Sequence, residues 1–486
     1  MDGTALRNAK DYIILNLGHT PTSDQERACM QMVNFLYDPT PNAAYLLRGY
    51  AGTGKTTLVS ALIRSAKAMH IKTVLLAPTG RAAKVLSNYS GRKAYTIHKY
   101  IYLTTTDPSG NIRVVREPNK HCYTLFIVDE SSMIGLSTNG LDGHTVNNLL
   151  DDLNEYVASG TNCRLLFVGD NAQLPPVGET ESPALNSAFL RRTLSLNIYE
   201  SELKEVVRQR TESQILATAT ALRNILERAN AGEHITMPIF TEKMGDDLVR
   251  LDSTEMNEVL NREFSEQSEE NVVVICRTNK RANLFNQAIR NRVLFREGEI
   301  NAGDYLMVVR NNYHWLESDS EVGFIANGDI VEVLSIRNHE SLYGFHFVDA
   351  TIRFVDYPDI STLDCKILLE TLHTESPNLT ADASRRLYDA ISEDYSDLPT
   401  RKDRHNAVRS NPYYNALQVK FAYALTCHKT QGGQWNTVII EQGYVTDDML
   451  NTEYIRWLYT ALTRATHKAY LLNFEDKFFA ETPLLR

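Results

Sequence analysis

Lys55 and Thr56 close an eight-residue run, Gly49-Tyr50-Ala51-Gly52-Thr53-Gly54-Lys55-Thr56, that reads G-x-x-x-x-G-K-[ST]. Its glycines let backbone N–H groups converge on phosphate oxygens at a helix N-terminus. In that arrangement Lys55 reaches the β- and γ-phosphates of a bound nucleotide and the Thr56 hydroxyl holds Mg²⁺. Gly49, Gly52, Thr53, Gly54 and Thr57 belong to the same expected nucleotide site. Two acids, Asp129 and Glu130, follow the apolar run Leu125-Phe126-Ile127-Val128. Asp129 is placed to complete the Mg²⁺ shell, and Glu130 to orient or deprotonate an attacking water. A third polar candidate, Gln173, follows Gly169-Asp170-Asn171-Ala172 and precedes the stiff pair Pro175-Pro176. The chemistry these residues suit is hydrolysis of a nucleoside triphosphate, with ATP and Mg²⁺ as the expected cofactors.

Such groups work only if strands deliver them to one edge. Tyr45-Leu46-Leu47 precedes the glycine loop, and Leu58-Val59-Ser60-Ala61-Leu62-Ile63 after it has helical character. Apolar runs of four or five residues, here before Asp129 and again at Leu165-Leu166-Phe167-Val168, suit strands buried on both faces of a parallel sheet. Ligands of doubly wound sheets bind at the carboxyl ends of such strands. The expected fold class is therefore α/β.

The chain has 486 residues, enough for about three domains at roughly 150 residues each. Its 43% apolar and 23% charged content is that of a globular protein. No stretch approaches the ~20 apolar residues of a membrane helix, and the N-terminal run Tyr12 to Leu15 is too short for a signal peptide. No membrane association and a cytoplasmic location are the expectations. The six cysteines are scattered without a CxxC pair, which argues against a disulfide framework or a zinc site. The net charge of −10 is concentrated: residues 242–270 hold ten acids and three bases. The rest of the chain is near neutral, so a basic groove for nucleic acid is not excluded.

The glycine loop, Asp129-Glu130-Ser131-Ser132-Met133, the Gly169–Gly178 segment, Tyr423 to Gly433 and Leu458 to Ala465 occur in that order. Together they resemble the motif series of superfamily 1B helicases, in the RecD-like, Dda-like and PIF-type branch. The resemblance runs from about Gln25 to Leu472 and is weakest between about Asp356 and Pro412. It implies two RecA-like motor domains with ATP between them. By that likeness Gln25 reads the adenine edge and Gln173 senses the γ-phosphate, while Arg208 and Arg464 approach it from the second motor domain. Charge stabilisation by such an arginine is worth ~10³–10⁵ in rate. One departure stands at Gln434, where the family often has an acid for the ribose; an amide forms no charge-assisted bond there.

The resemblance also implies a track of single-stranded DNA, forked duplex as substrate, and 5′ to 3′ stepping by a monomer. Pro78, Thr79, Arg81 and His98, with Thr426, His428 and Lys429, match segments that hold DNA phosphates. Hydroxyls and imidazoles suit that work because phosphate contacts carry no base information. Arg92, Lys84, Lys93, Lys99 and Lys420 are further bases that either line the groove or form a solvated face. Two β-prone runs around Asp107-Pro108-Ser109-Gly110 read as a hairpin. Its place matches the family's strand-separating pin, with Tyr102 or Pro108 as the wedge in the absence of an aromatic tip.

The expected domains are a first motor over residues 1–190, with the hairpin inserted at about 100–122, and a second over 191–303 and 413–486. Several short strands between 304 and 412 read as an inserted antiparallel barrel, SH3-like by resemblance. That barrel either clamps the strand, braces the pin or is purely structural. Residues 366–398 read as polar and helical with a break at Pro377, and Arg401-Lys402-Asp403-Arg404-His405 as a basic patch. The leading reading is an ATP-dependent DNA helicase. Its competitors are a DNA-stimulated translocase that remodels protein–DNA complexes without efficient unwinding, and a P-loop switch with no nucleic-acid track.

Overall fold

Two parallel sheets and a closed barrel make up the computed structural model, which describes residues 3–106, 112–136, 148–206, 213–235, 239–241, 245–316, 324–357 and 362–480. In the first lobe the strands are β1 (Ala43–Gly49), β2 (Lys72–Ala77), β3 (Tyr95–Thr96), β6 (Thr124–Val128), β7 (Arg164–Gly169) and β8 (Asn197–Leu203). A hairpin of β4 (Tyr102–Thr106) and β5 (Ile112–Arg116) projects between β3 and β6. The sheet order is β3-β2-β6-β7-β1-β8, parallel throughout. Every residue of β6 is buried, and all of β1 except Arg48, so the continuous apolar runs mark strands covered on both faces. The order makes β6, β7 and β1 neighbours. The three loops that carry Asp129, Gln173 and Lys55 therefore leave adjacent carboxyl ends.

The second lobe follows. A short pair, β9 (Phe240–Thr241) with the late strand β20 (Phe479–Ala480), lies beside the sheet. The sheet itself holds β10 (Leu248–Leu251), β11 (Val272–Cys276), β17 (Ala424–Thr426), β18 (Trp435–Glu441) and β19 (Ala465–Leu472), ordered β10-β19-β18-β11-β17 and again parallel. Inserted in it, β12 (Tyr305–Val308), β13 (Ile330–Leu342), β14 (Phe345–Phe354), β15 (Leu363–Leu368) and β16 (Leu417–Phe421) close into a barrel. Its neighbours are antiparallel except at the closure of β15 on β16. Helices Ala381–Glu393 and Arg401–Ser410 pack on its outside through Leu387, Ile391 and Val408.

Three sequence boundaries move. β8 pairs along the whole of β1, so the first lobe continues to Leu203 and not to residue 190. The barrel needs β16 to close, so the insertion ends at Phe421 and not at 412. The apolar run from Phe421 to Leu425 is two strands in two different units: Ala422 N–H donates to Tyr305 O at 2.9 Å on the barrel side, and Tyr423 O accepts from Val274 N at 2.9 Å on the lobe side. Residues 366–368 finish β15 before the helical segment starts. No described helix is long and apolar enough to cross a membrane.

Candidate nucleotide cleft and strand groove

The loop after β1 turns through Gly52 and Gly54 at φ +79° and +83°, conformations that cost a side chain dearly and glycine nothing. Gly54 caps the helix Lys55–Ala66 without a side-chain bond, leaving its first N–H groups for an anion. Lys55 Nζ rests on the carbonyls of Gly49 and Tyr50 and lies 3.8 Å from Asp170 Oδ2. Thr53 is buried, Thr57 half-buried, and Thr56 exposed on the first turn. Gln25 spends its amide on architecture. Its Oε1 accepts from Thr22 N at 3.2 Å, its Nε2 donates to Thr53 O at 3.3 Å, and the residue is fully buried. It supports the loop from beneath, a role the resemblance did not suggest.

Asp129 accepts from Glu130 N at 2.9 Å through Oδ1 and from the Tyr89 hydroxyl through Oδ2. Glu130 takes the left-handed conformation (φ 50°, ψ 37°), a strained setting typical of functional turns. Burial pushes both carboxyls above their usual range. At Glu130 the charges of Arg464 and Lys55 oppose that rise while Asp129 and Asp170 add to it. A carboxylate and a hydroxyl at this edge are hard oxygen donors of the kind Mg²⁺ takes alongside phosphate oxygens. Among the described residues no group of three or more His, Cys, Asp or Glu could hold a metal alone. The residues fit an ion shared with a triphosphate.

The second lobe reaches directly into this cleft. The Tyr459 hydroxyl accepts from Ala51 N at 2.8 Å and donates to Asp170 Oδ2 at 2.7 Å. Thr460 Oγ1 accepts from Leu174 N at 2.9 Å, Gln431 Nε2 donates to Leu174 O at 2.7 Å, and Arg456 Nη1 donates to Gln173 O at 3.3 Å. The turn bearing Gln173 is thus clamped by three side chains of the other lobe. Gln173 Oε1 is buried without a partner. Arg464 is 4% exposed, donates to Thr460 O at 3.1 Å and Gly433 O at 3.3 Å, and is the strongest charge opposing Glu130's burial. Arg208 lies outside the described residues. Tyr459, Arg456, Thr460 and Gln431 were not singled out from the sequence, although Tyr459 and Thr460 sit inside the last quoted motif.

A second cavity, of about 370 Å³, crosses both lobes and the barrel. Pro78, Thr79, Arg81 and His98 line it from the first lobe, His428 and Lys429 from the second, and Phe324, Asn327 and Gly328 from the barrel. Thr79 caps the helix Gly80–Ser90, accepting from Ala82 N at 3.2 Å. Burial pushes His98 down to about 4 and Lys429 to about 8, so His98 is a neutral hydrogen-bonding group at neutral pH. Thr426 caps the short turn before His428 and is not in the lining. Other bases face elsewhere. Lys420 donates to Thr371 O at 3.2 Å within the barrel, Arg92 to Thr73 O at 3.4 Å, and Lys84 to Val355 O at 2.6 Å.

Two pin and ribose candidates are displaced. Tyr102 sits at the root of the hairpin, its hydroxyl donating to Asp152 Oδ2 at 2.6 Å, so its ring is an anchor and not a wedge. Pro108 lies outside the described residues. Gln434 is exposed and lines a separate pocket with Arg81, Lys84 and Trp435; no residue of the phosphate loop shares that pocket. Arg81 stacks over the Trp435 ring at 3.9 Å. A Cβ at Gly433 would lie 2.7 Å from Arg81 Nε, so the glycine pair permits the close approach of the lobes.

Two parallel α/β lobes meeting over a phosphate loop define a two-lobed P-loop protein. Residues 22–233 match the model of an AAA domain and residues 421–472 that of a UvrD-like helicase C-terminal domain. The ATP-dependent RecD2 DNA helicase of Deinococcus radiodurans is 34% identical over 177 residues, 36% of this chain and 21% of that one. The ATP-dependent DNA helicase Dda of Enterobacteria phage T4 is 31% identical over 181 residues, 37% of each chain. Uncharacterized protein R530 of Acanthamoeba polyphaga mimivirus is 22% identical across 91% of this chain and 98% of its own. The chain spans about a fifth and just over a third of the RecD2 and Dda chains. Over those residues the chain is similar to ATP-dependent DNA helicases of the RecD2 and Dda kind.

Proposed function

We propose that this protein is an ATP-dependent DNA helicase, acting as a monomer, that steps 5′ to 3′ along single-stranded DNA and opens forked duplex. The observation that carries the reading is the Tyr459 hydroxyl, which ties a P-loop N–H to Asp170 from the opposite lobe. A cleft stitched this way makes lobe closure sensitive to what the loop holds. The groove crosses the same two lobes, so closure and reopening change the spacing of its phosphate contacts.

In the proposed reaction Lys55 leaves its carbonyl perch for the β- and γ-phosphates. Thr56 and Asp129 hold Mg²⁺, which neutralises charge on the transferring phosphoryl group. Glu130 orients the attacking water, and its raised pKa suits it to take a proton. Gln173 donates from its amide Nε2 to the γ-phosphate, and Arg464 and Arg208 stabilise the developing charge. In the groove Thr79, His98, His428, Arg81 and Lys429 hold backbone phosphates. Gln25 contributes by supporting the loop. Gln434 is assigned no ribose contact.

The test compares 5′-tailed, 3′-tailed and forked DNA in a strand-release assay with ATP. Release from 5′-tailed and forked substrates is expected, lost in Lys55→Ala; release by Lys55→Ala at the wild-type rate would refute the site. Tyr102 at the hairpin root, and not at its tip, is the observation behind a second reading, a translocase that moves without efficient unwinding. DNA-stimulated hydrolysis with no strand release on any tail would favour it.

A further inference from the structure

One helix connects the groove to the candidate metal carboxylate. The helix Gly80–Ser90 begins at Thr79, whose side chain lines the groove. It ends beside the phosphate site, where the Tyr89 hydroxyl donates to Asp129 Oδ2. Ten residues separate these positions, about 15 Å at 1.5 Å per residue. The far end is held on the other side as well: Ser60 Oγ, from the helix that starts at Lys55, donates to Tyr89 O at 3.1 Å. Leu86, Ala82 and Ala83 bury the helix face in the core shared with Leu58 and Leu62. Both oxygens of Asp129 are oriented, one by the Tyr89 hydroxyl and one by Glu130 N.

We propose that Tyr89 is a positioning residue for Asp129, and that through it a strand seated at Thr79 sets the geometry of the metal-binding carboxylate. The second half rests on the strand-binding reading above; the first does not. The hydroxyl fixes which lone pairs of Asp129 remain for the cation. Removal of such an outer hydrogen bond to a ligand usually weakens metal binding 10- to 100-fold. A displacement of the helix at its groove end arrives at Asp129 because the hydroxyl has no freedom to follow separately. By reciprocity of coupled binding, Mg²⁺-dependent nucleotide binding must then alter the affinity for the strand by the same factor.

The experiment titrates Mg²⁺ into wild type and Tyr89→Phe with a fluorescent ADP, with and without oligo(dT). Phenylalanine keeps the packing, and a melting curve verifies it. The expected result is a half-saturating Mg²⁺ concentration roughly tenfold higher in the variant, with unchanged ADP affinity in EDTA. Oligo(dT) shifts the half-saturation of the wild type and leaves that of Tyr89→Phe where it was. Superimposable Mg²⁺ titrations of the two proteins overturn the positioning role. An equal oligo(dT) shift in both overturns the coupling. Oligonucleotide binding is read separately by fluorescence anisotropy, so failure of the strand-binding reading appears there and is not confused with failure of Tyr89.

Discussion

Replacing Tyr459 by phenylalanine deletes one oxygen at the meeting of the lobes and strands two buried partners. Ala51 N–H loses its acceptor at 2.8 Å, and the carboxylate of Asp170, 1% exposed, loses a donor at 2.7 Å. A hydrogen bond to a charged group contributes about 1.5–3 kcal/mol, and an orphaned buried amide costs about 1–3 kcal/mol. Water entering the opened interface relieves part of both, leaving roughly 3 kcal/mol against closure. At 1.36 kcal/mol per tenfold, that is about 100-fold. In the proposed reaction closure assembles the groups that act on the γ-phosphate, so kcat/KM for ATP is expected to fall about 100-fold while single-strand affinity in the absence of nucleotide changes little. The assay is steady-state hydrolysis with saturating oligo(dT), repeated for Asp170→Asn and for the double variant. Because the two groups share one bond, the double variant should lose much less than the product of the single losses. Wild-type kcat/KM in Tyr459→Phe, or fully multiplicative losses, would refute this role for the latch.

Alanine at Gly432 places a Cβ 2.8 Å from Ala82 Cβ at a backbone φ of +73°; DNA stimulation of hydrolysis should fall at least tenfold, read as the ratio of rates with and without oligo(dT). Alanine at Gly80 meets Asp329 Oδ1 at 2.3 Å and Tyr357 OH at 2.6 Å, so these two side chains must swing aside and their contact with the first lobe loosens; limited proteolysis should cut the variant faster at the junction. Lys429 is pushed by burial to about 8, and a bound phosphate favours its charged form. Single-strand affinity should therefore weaken as pH rises from 7 towards 10. The slope of log K against log salt should shrink by about 0.7, the share of one phosphate contact on a single strand, and Lys429→Met should show no such change.

The phosphate loop, the acids after β6 and the turn after β7 were legible because each pairs an apolar strand with functional residues in fixed spacing. Their adjacency was not, since it depends on the strand order β6-β7-β1, which local pattern does not encode. The groove assembled from segments about 330 residues apart, yet six of its seven nominated residues share one cavity, because each segment ends a strand of a parallel sheet. Lys84 and Lys420 misled for the opposite reason. A lysine's long stem reaches backbone carbonyls as readily as solvent, and both found carbonyls in or beside the barrel. Tyr102 was misplaced because aromatic content says nothing about position along a hairpin. Tyr89 carried no signal at all: one tyrosine near a helix end is ordinary until the fold brings Asp129 against it. The boundary at residue 190 failed because the edge strand β8, with its mixed sequence Asn-Ile-Tyr-Glu-Ser-Glu-Leu, lacks the apolar run of its neighbours.

In the proposed reaction groups from both lobes act on one triphosphate, and Arg464 tests this most directly. In Arg464→Lys the charge stays but the planar fork that bonds Thr460 O and Gly433 O is lost. Oligo(dT)-stimulated turnover should fall by about 10³-fold, the lower range for a lost arginine finger, with ADP affinity within a few-fold of wild type. Wild-type turnover by Arg464→Lys, with ADP bound as before, would contradict the account.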